Sequence, residues 1–305
     1  MIRKLFTLYY ALFFGDISGL WGKNVAEYLL GSRIVKKGDS VISFFTPRGP
    51  IFAGYLIKNK IKCDWIVDFQ DNHDIGQKYK FLSRYWMKRV LKNADKCVHV
   101  SPEWAEKDGE KLGKSFMVIR HALPKKEHIV SLFGEEEFTF FYYGGFNVDY
   151  QYHEFFFKYL NDNPETKFAY AGFEQVDQIF SSKLNSDQYI YLGWLSSYEL
   201  FDQLSRAKFV VVFGFTLASR SVVPSKLYEL IALKIPIIII GNDSGGIKDL
   251  ENETSFMFSW AKNEKQLQAI VDSPQMINQD YSAFDIYNQD SFINNYLNIL
   301  EPNDN

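Results

Sequence analysis

The chain has 305 residues, of which 47% are hydrophobic and 23% are charged, and its formal net charge is −3. This length suits two domains of ordinary size, and the composition is that of a globular protein. The lack of a basic excess argues against a nucleic-acid-binding protein, and the two cysteines, Cys63 and Cys97, are too few for a disulfide framework or a zinc site.

Residues 1–15 combine two basic side chains with a run of aromatic and aliphatic residues, and no small-residue cleavage site follows them. We expect a first buried helix or strand here. The alternative is an aromatic segment that touches a membrane surface. No part of the sequence reaches the ~20 consecutive apolar residues that a transmembrane helix needs.

From residue 40 to residue 119 the sequence alternates between short apolar runs and amphipathic stretches. Ser101 is placed to cap a helix that has Pro102 at its first position. The predicted elements are strands at residues 40–45, 64–69, 96–100 and 116–119 and helices at residues 51–60, 78–92 and from residue 102. Such alternation predicts βαβ units and a mainly parallel sheet.

Residues 124–137 hold two charge clusters, and beyond them the alternation begins again. The predicted elements are strands at residues 138–143, 167–171, 188–192, 209–213 and 235–240, helices at 152–160, 197–207 and 224–233, and one or two helices at 282–300. We therefore expect an N-terminal domain at residues 1–128 and a C-terminal domain at residues 129–280. A helical segment at residues 281–305 follows, with a return to the first domain as one possible course.

Glycine follows each predicted strand of the second domain. The positions are Gly144 with Gly145, Gly172, Gly193, Gly214 and Gly241. Ligands of open parallel sheets bind beyond the carboxyl ends of the strands, where glycine permits a sharp turn and a close approach. One such glycine is common after any strand, but five at one edge favour a ligand site.

The segment at residues 219–229 carries the clearest chemistry. Pro224 suits the first turn of a helix, so the amides of Ser225 and Lys226 would point outward at the positive end of the helix dipole, where a diphosphate binds well. Arg220 would add positive charge, and Glu229 could accept hydrogen bonds from two neighbouring hydroxyls, as on a ribose. A capped surface helix with solvated charges explains the same residues equally well.

The sequence Pro-Ser-Lys-Leu-Tyr-Glu at residues 224–229 resembles the nucleotide-binding signature of retaining glycosyltransferases with the GT-B fold, and is most similar to glycosyltransferase family 4. Other segments resemble that family in the same order, at residues 64–71, 94–101, 119–122, 142–146, 191–200 and 232–237. The resemblance implies an α/β protein with two Rossmann-like domains that face each other across a cleft. It also implies transfer with retention of configuration from a nucleotide sugar on the C-terminal domain.

The resemblance implies a role for each matching position. Glu229 would hold the ribose hydroxyls of the donor, and Ser225 and Lys226 would face its diphosphate. The remaining donor-site residues would be Gly144, Gly145, Gly193, Trp194, Leu195, Arg220, Ser221, Pro224 and Leu227, with the residues at 193–195 lining the base pocket. No cofactor or metal is expected, because the helix dipole and basic residues would neutralise the leaving diphosphate.

Three features depart from the family pattern. Ser221 stands where the family has the first of two glutamates, and residues 147–153 lack the usual Arg and Lys. The N-terminal domain is also shortened, since only about 40 residues precede its first clear strand.

Four residues of the N-terminal domain are candidates for the acceptor side. Thr46 and Arg48 follow the first strand, where Arg48 would bind an anionic acceptor group or stand exposed on a rigid turn. Asp71 and His73 follow the second strand and are the predicted catalytic residues, with His73 positioning an acceptor hydroxyl or the donor sugar. The alternative for His73 is an ordinary surface histidine.

The predicted function is therefore that of a cytoplasmic glycosyltransferase that acts on a glycan or lipid-linked oligosaccharide in surface polysaccharide biosynthesis. The aromatic N-terminus and the pair Lys36-Lys37 are the candidates for peripheral contact with the inner face of the membrane. One alternative is a non-catalytic subunit that binds a nucleotide or a partner enzyme, as Ser221 and the short first domain would allow. Another is a sugar-nucleotide epimerase on the same fold, since fold alone does not decide function.

Overall fold

A computed structural model describes residues 9, 12–13, 16–74, 80–124, 136–216, 223–273 and 281–300. The chain forms two compact units: the first contains Met1–His121 and Asp290–Asn305, and the second contains Ala122–Gln289. The observed division therefore precedes the predicted boundary at residue 128, which lies outside the described residues. The predicted segment at residues 281–305 is divided between the two units.

The first unit is built on a four-stranded parallel sheet in the order β1-β2-β3-β4. Its elements in chain order are α1 (Ser18–Gly31), β1 (Ser40–Phe45), α2 (Gly49–Ile61), β2 (Asp64–Phe69), α3 (Lys80–Leu91), β3 (Lys96–His99), α4 (Pro102–Leu112) and β4 (Met117–Val118). Ser101 caps α4 by accepting a hydrogen bond from the Trp104 amide, and Gly113 ends it with a φ of +68°. The predicted cap is thus confirmed.

The central strand β2 is buried on both faces. Trp65 and Val67 point to the side covered by α2, α3 and α4, where they pack with Phe52 and Trp86. Ile66 points to the opposite side, because side chains alternate along a strand.

The second unit contains a six-stranded parallel sheet in the order β10-β9-β8-β5-β6-β7. Its elements are β5 (Phe138–Tyr143), α5 (Glu154–Asp162), β6 (Phe168–Ala171), α6 (Glu174–Ser181), β7 (Tyr189–Tyr191), α7 (Ser197–Leu204), β8 (Ala207–Phe213), α8 (Ser225–Leu233), β9 (Ile237–Ile240), α9 (Gly246–Thr254), β10 (Ser259–Ala261) and α10 (Glu264–Asp272). Both faces of this sheet are covered by apolar clusters. Strands buried in this way read as continuous apolar runs, as Phe138–Tyr143 does.

A 3₁₀ helix at Tyr281–Tyr287 leads into the last helix, α11 (Gln289–Leu300). Although α11 ends the described chain, it packs on the first unit. Ile299 meets Ile66, Val98 and Ile119, and these residues form the core of the sheet face opposite α2, α3 and α4. The C-terminal helix α11 therefore packs on a sheet whose four strands all come from the N-terminal part of the chain.

Candidate functional site

The strand order of the second unit changes direction between β5 and β8. From β5 the chain runs outward through β6 and β7, and it then returns to β8 on the other side of β5 before continuing to β9 and β10. Strands β5 and β8 pair directly, with Phe140 beside Phe209. Such a switch point opens a crevice at the carboxyl ends of the strands, where ligands of open α/β sheets bind.

The turns that follow β5, β6 and β7 are hydrogen-bonded to one another. The Gly144 amide donates to Ala171 O at 2.9 Å, and the Gly172 amide donates to Gly193 O at 2.9 Å. The Tyr170 hydroxyl donates to Gly144 O at 2.8 Å. Gly144 has a φ of +87° and Gly193 a φ of +72°, which favour glycine at both turns. The edge is therefore a preformed surface of backbone groups.

Helix α8 brings Lys226 onto the first of these turns. Its Nζ donates to Tyr143 O and lies 4.0 Å from the centre of the Tyr142 ring. A Cβ added to Gly144 would lie 3.5 Å from the same nitrogen, so the ammonium group sits directly beside the glycine turn. Burial lowers the pKa of Lys226 to about 7, while the nearby Glu229 opposes that shift.

Glu229 lies one turn further along α8 and is half-buried. One of its oxygens, Oε2, accepts a hydrogen bond of 2.7 Å from the Tyr143 hydroxyl. Burial raises the pKa of Tyr143 well above its ordinary value, and the neighbouring carboxylate raises it further. The tyrosine therefore stays protonated and orients Glu229 at the carboxyl end of β5. Tyr143 was not predicted as a site residue, because within an apolar strand it looks like core.

The other predicted residues of this helix divide between surface and core. Pro224 precedes α8 with an extended backbone, and Ser225 is exposed at its first position. Leu227, in contrast, is completely buried and its amide bonds to Pro224 O at 2.9 Å. The expectation that Leu227 contacts a donor is corrected: it anchors α8 in the core. Arg220 and Ser221 lie outside the described residues.

The far end of the same edge carries exposed aromatic rings. Trp194, which follows Gly193, is 73% exposed, and its ring centre lies 5.2 Å from that of Phe173. Leu195 is half-buried against the core. Phe173 is a residue that sequence reasoning passed over, although its position directly after Gly172 was a usable signal. Gly145 has open space where a side chain would be.

In the first unit the structure brings Thr46 and Asp71 together. The Thr46 hydroxyl donates to Asp71 Oδ2 at 3.3 Å, and Thr46 is exposed. These residues follow β1 and β2, which are neighbours in the sheet. The two predicted candidates therefore share the carboxyl edge of the first unit.

Arg48 and His73 do not lie at that surface, because both side chains are fully buried. Arg48 donates to His73 O at 2.7 Å and also bonds to Ser83, while its guanidinium lies 5.6 Å from the Trp86 ring. Burial lowers the pKa of Arg48 to about 10, with Asp16 and Asp74 opposing the shift. The expectation that Arg48 binds an acceptor group is corrected: it braces the loops after β1 and β2 from within.

The His73 ring lies between two carboxylates. Its Nδ1 is 2.8 Å from Asp108 Oδ1, and its Nε2 is 3.0 Å from Asp74 Oδ1. Asp108 also accepts a hydrogen bond of 3.1 Å from the His73 amide. A buried carboxylate such as Asp108 is stable only when polar groups face it. His73 is therefore buried and not a surface histidine, and its contacts fix the loop that carries Asp71.

Among the described residues, no group of three or more His, Cys, Asp or Glu side chains is arranged to hold a metal ion. In the same part of the chain, no helix combines the length and apolar character that crossing a membrane requires.

No family model matches this sequence, and no curated protein matches it either. Solved structures do resemble it. Sucrose-phosphate synthase from Thermosynechococcus elongatus aligns with a TM-score of 0.66 and 12% identity over 90% of this chain and 76% of that one. HepE of Anabaena, in complex with UDP and glucose, gives 0.62 and 10% over 90% of this chain and 80% of that one.

A Listeria monocytogenes protein described as a UDP-N-acetylglucosamine 2-epimerase aligns with a TM-score of 0.56 and 11% identity, over 93% of this chain and 77% of that one. At such low identity these likenesses concern the fold alone. They confirm the predicted fold class: the chain is an α/β protein with two Rossmann-like parallel-sheet units, as in GT-B proteins.

Proposed function

We propose that this protein is a retaining glycosyltransferase that binds a nucleotide-diphosphate sugar at the carboxyl edge of the second unit. One observation carries the proposal. Lys226 and Glu229 stand on α8 beside the Gly144 turn, at the point where the strand order reverses. A cation, a helix N-terminus and an oriented carboxylate are the groups that a diphosphate and a ribose require.

The size of the edge fits such a ligand. Gly144 and Gly193 end strands that are separated by one strand, so they lie about 10 Å apart across the sheet. We place the diphosphate at Lys226 and the amide of Ser225, and the ribose hydroxyls at Glu229. The base would then lie near the turn at Gly193, against Trp194.

Charge development on the leaving diphosphate is the chemical problem that the site would address. The N-terminus of α8 supplies aligned amide dipoles, and Lys226 supplies a cation in a partly dry environment where its charge is effective. These groups, and not a metal ion, would neutralise the leaving diphosphate. Ser221 would stand at the first acidic position of the family pattern.

On the first unit, Thr46 and Asp71 are the proposed acceptor-facing groups, because they remain at the sheet edge and contact each other. The buried network around Arg48 and His73 would hold both loops in place. The acceptor would be a glycan or a lipid-linked oligosaccharide used for surface polysaccharide, and the enzyme would work in the cytoplasm at the inner face of the membrane. HepE is known in complex with UDP and glucose, which supports a nucleotide sugar as the donor class.

A non-catalytic nucleotide-binding subunit is the second candidate, and Ser221 is the residue that favours it. Turnover of a donor distinguishes the glycosyltransferase from the non-catalytic subunit. We would incubate the full chain with a panel of UDP- and GDP-sugars, with and without a bacterial lipid extract, and measure released nucleotide and labelled product.

The proposal expects product with one donor, lost in Glu229→Ala and retained in Glu165→Ala, whose parent side chain is an exposed glutamate of the same unit. Nucleotide binding without turnover would support the non-catalytic subunit. Conversion of the donor sugar into its epimer would support the epimerase instead.

A further inference from the structure

Helix α3 presents an outward face that is basic and aromatic. Phe81 and Tyr85 are 80% and 54% exposed, and Lys88 and Lys92 are exposed beside them. Phe81, Tyr85 and Lys88 follow one another at spacings of four and three, so they form one stripe along α3, and Lys92 lies directly after the end of the helix. The inward face, with Ser83, Trp86, Met87, Val90 and Leu91, is buried in the first unit.

The stripe is flanked by further cations. Lys80 and Arg89 are exposed and Arg84 is half-buried, and residues 80–92 contain no acidic side chain. No ion pair joins any of these five basic residues to an acidic group within the described ranges. In a chain whose net charge is −3, this local excess is a charged surface in its own right.

The helices next to α3 carry charges of both signs. At the C-terminal end of α3, Asn93 donates to the Asn59 side chain of α2 at 2.7 Å, and the residues Lys60 and Lys62, which follow Asn59 in the chain, are exposed. Helix α4 carries the exposed residues Glu106 and Glu110.

We propose that the outward face of α3 is a docking surface for anionic lipid membranes. The lysines and arginines would meet lipid phosphates, and the two rings would enter the boundary between headgroups and acyl chains, where aromatic side chains are stable. Charge complementarity argues for an anionic partner, and the two exposed rings within the cationic stripe favour a lipid surface over a nucleic acid. The inference stands apart from the proposed enzymatic activity, since docking would occur with or without turnover.

This assignment differs from the contact expected from sequence. The pair Lys36-Lys37 belongs to the loop before β1, and residues 1–8 lie outside the described residues. Helix α3 was predicted as a helix, and the structure shows which of its sides is buried.

The test is cosedimentation of the full chain with vesicles of phosphatidylglycerol and phosphatidylcholine in equal parts, and with vesicles of phosphatidylcholine alone. We expect binding to the first and not to the second, weakening as salt is raised. Lys88→Ser with Lys92→Ser should weaken the partition coefficient about 10- to 30-fold. Phe81→Ser with Tyr85→Ser should also weaken the partition coefficient, by a factor that changes little with salt concentration because the lost contribution is apolar.

The controls remove the same number of lysines, or a single exposed ring, elsewhere on the chain. Lys167→Ser with Lys265→Ser removes two exposed lysines of the second unit, and Tyr198→Ser removes an exposed ring. Both should bind vesicles as the parent does. Circular dichroism would establish that all variants are folded. Equal loss in the controls, no vesicle binding at all, or binding of duplex DNA in place of vesicles would overturn the proposal.

Discussion

The Lys226 side chain lies in an environment that disfavours its charge. Its ammonium group lies over one tyrosine ring, donates to a backbone carbonyl and has its pKa lowered to about 7 by burial. Near physiological pH, the charged and neutral forms of Lys226 are both populated, so a bound anion would favour the charged form.

The first prediction concerns the pH dependence of nucleotide binding. A bound diphosphate favours the ammonium form and raises the pKa of Lys226, so binding takes up a proton when the solution is above about pH 7. Affinity should therefore fall as pH rises above neutrality, by at most about tenfold per pH unit. Calorimetry in two buffers of different ionisation enthalpy measures the proton uptake directly.

The matched variant is Lys226→Arg, which stays charged throughout this range. Its binding should take up no proton and should depend little on pH. Proton uptake that persists in the arginine variant would assign the effect to another group.

At the scale of single elements, α2 shows how closely a helix can approach a sheet. Gly54 faces β1 and β2, and a Cβ added to it would lie 2.1 Å from Trp65 Nε1 and 2.4 Å from Ser43 Oγ. The Trp65 indole donates to that hydroxyl at 3.0 Å. The glycine is thus required by the packing of a helix against a hydrogen-bonded pair beneath it.

The second prediction follows from this contact. Gly54→Ala should lower the free energy of unfolding by about 1–3 kcal/mol, because the methyl group must displace the Trp65 ring or the helix. The reference is Gly31→Ala at the end of α1, where nothing lies within 4 Å of the added Cβ. Urea denaturation of both variants measures the difference. A Gly54→Ala protein as stable as Gly31→Ala would contradict the packing account.

The sequence anticipates most elements but not all. Buried parallel strands read as apolar runs between turns, so the predicted strands agree with the observed ones to within two residues, as at Phe138–Tyr143. The missed elements are α1, α6, α9, β10 and α10. Helix α6 begins after Phe173 and helix α9 begins after Gly245, and neither helix start has a side-chain cap. Their helicity depends on packing that one sequence does not display.

The parts of the candidate site that are formed by the backbone could be predicted from the sequence. Glycine turns and a helix start are visible as sequence patterns, and Gly144, Lys226 and Glu229 lie at one edge as expected from the topology. Side-chain burial was not predictable in this way. Arg48 and His73 look like loop residues available to a ligand, and only the positions of Asp108 and Trp86 show that they are internal.

At the scale of the whole molecule, the last helix completes the first unit. The Tyr296 hydroxyl of α11 donates to the Asp68 carboxylate of β2, and Lys96 donates to Ile299 O. Asp68 is fully buried, and burial raises its pKa to about 6 although Tyr296 and Gln70 act in the opposite direction. Two segments far apart in the sequence are therefore joined through a carboxyl group whose pKa is raised by burial.

The third prediction concerns stability against pH. Between the ordinary value of 3.8 and about 6, folded Asp68 holds a proton that the unfolded chain has lost, so stability should fall as pH rises through this window. Asp68→Asn keeps an acceptor for Tyr296 without a charge. It should be more stable than the parent at about pH 8, by up to about 2–3 kcal/mol, and equal to it or less stable at about pH 4.

Urea unfolding at several pH values measures this, and Asp64→Asn, at an exposed position on the same strand, is the control. A control that removes the pH dependence as fully as Asp68→Asn would show that the buried carboxyl is not its source.

The account as a whole depends on a nucleotide site at the carboxyl edge of the second unit. The most direct test is calorimetric titration of the full chain with UDP and with GDP, beside Glu229→Ala and the surface control Glu165→Ala. We expect one nucleotide to bind, with affinity reduced about 10- to 100-fold in Glu229→Ala, since charged hydrogen bonds to the ribose are lost, and unchanged in Glu165→Ala. No binding of either nucleotide to the folded protein, or equal binding by Glu229→Ala, would contradict the site.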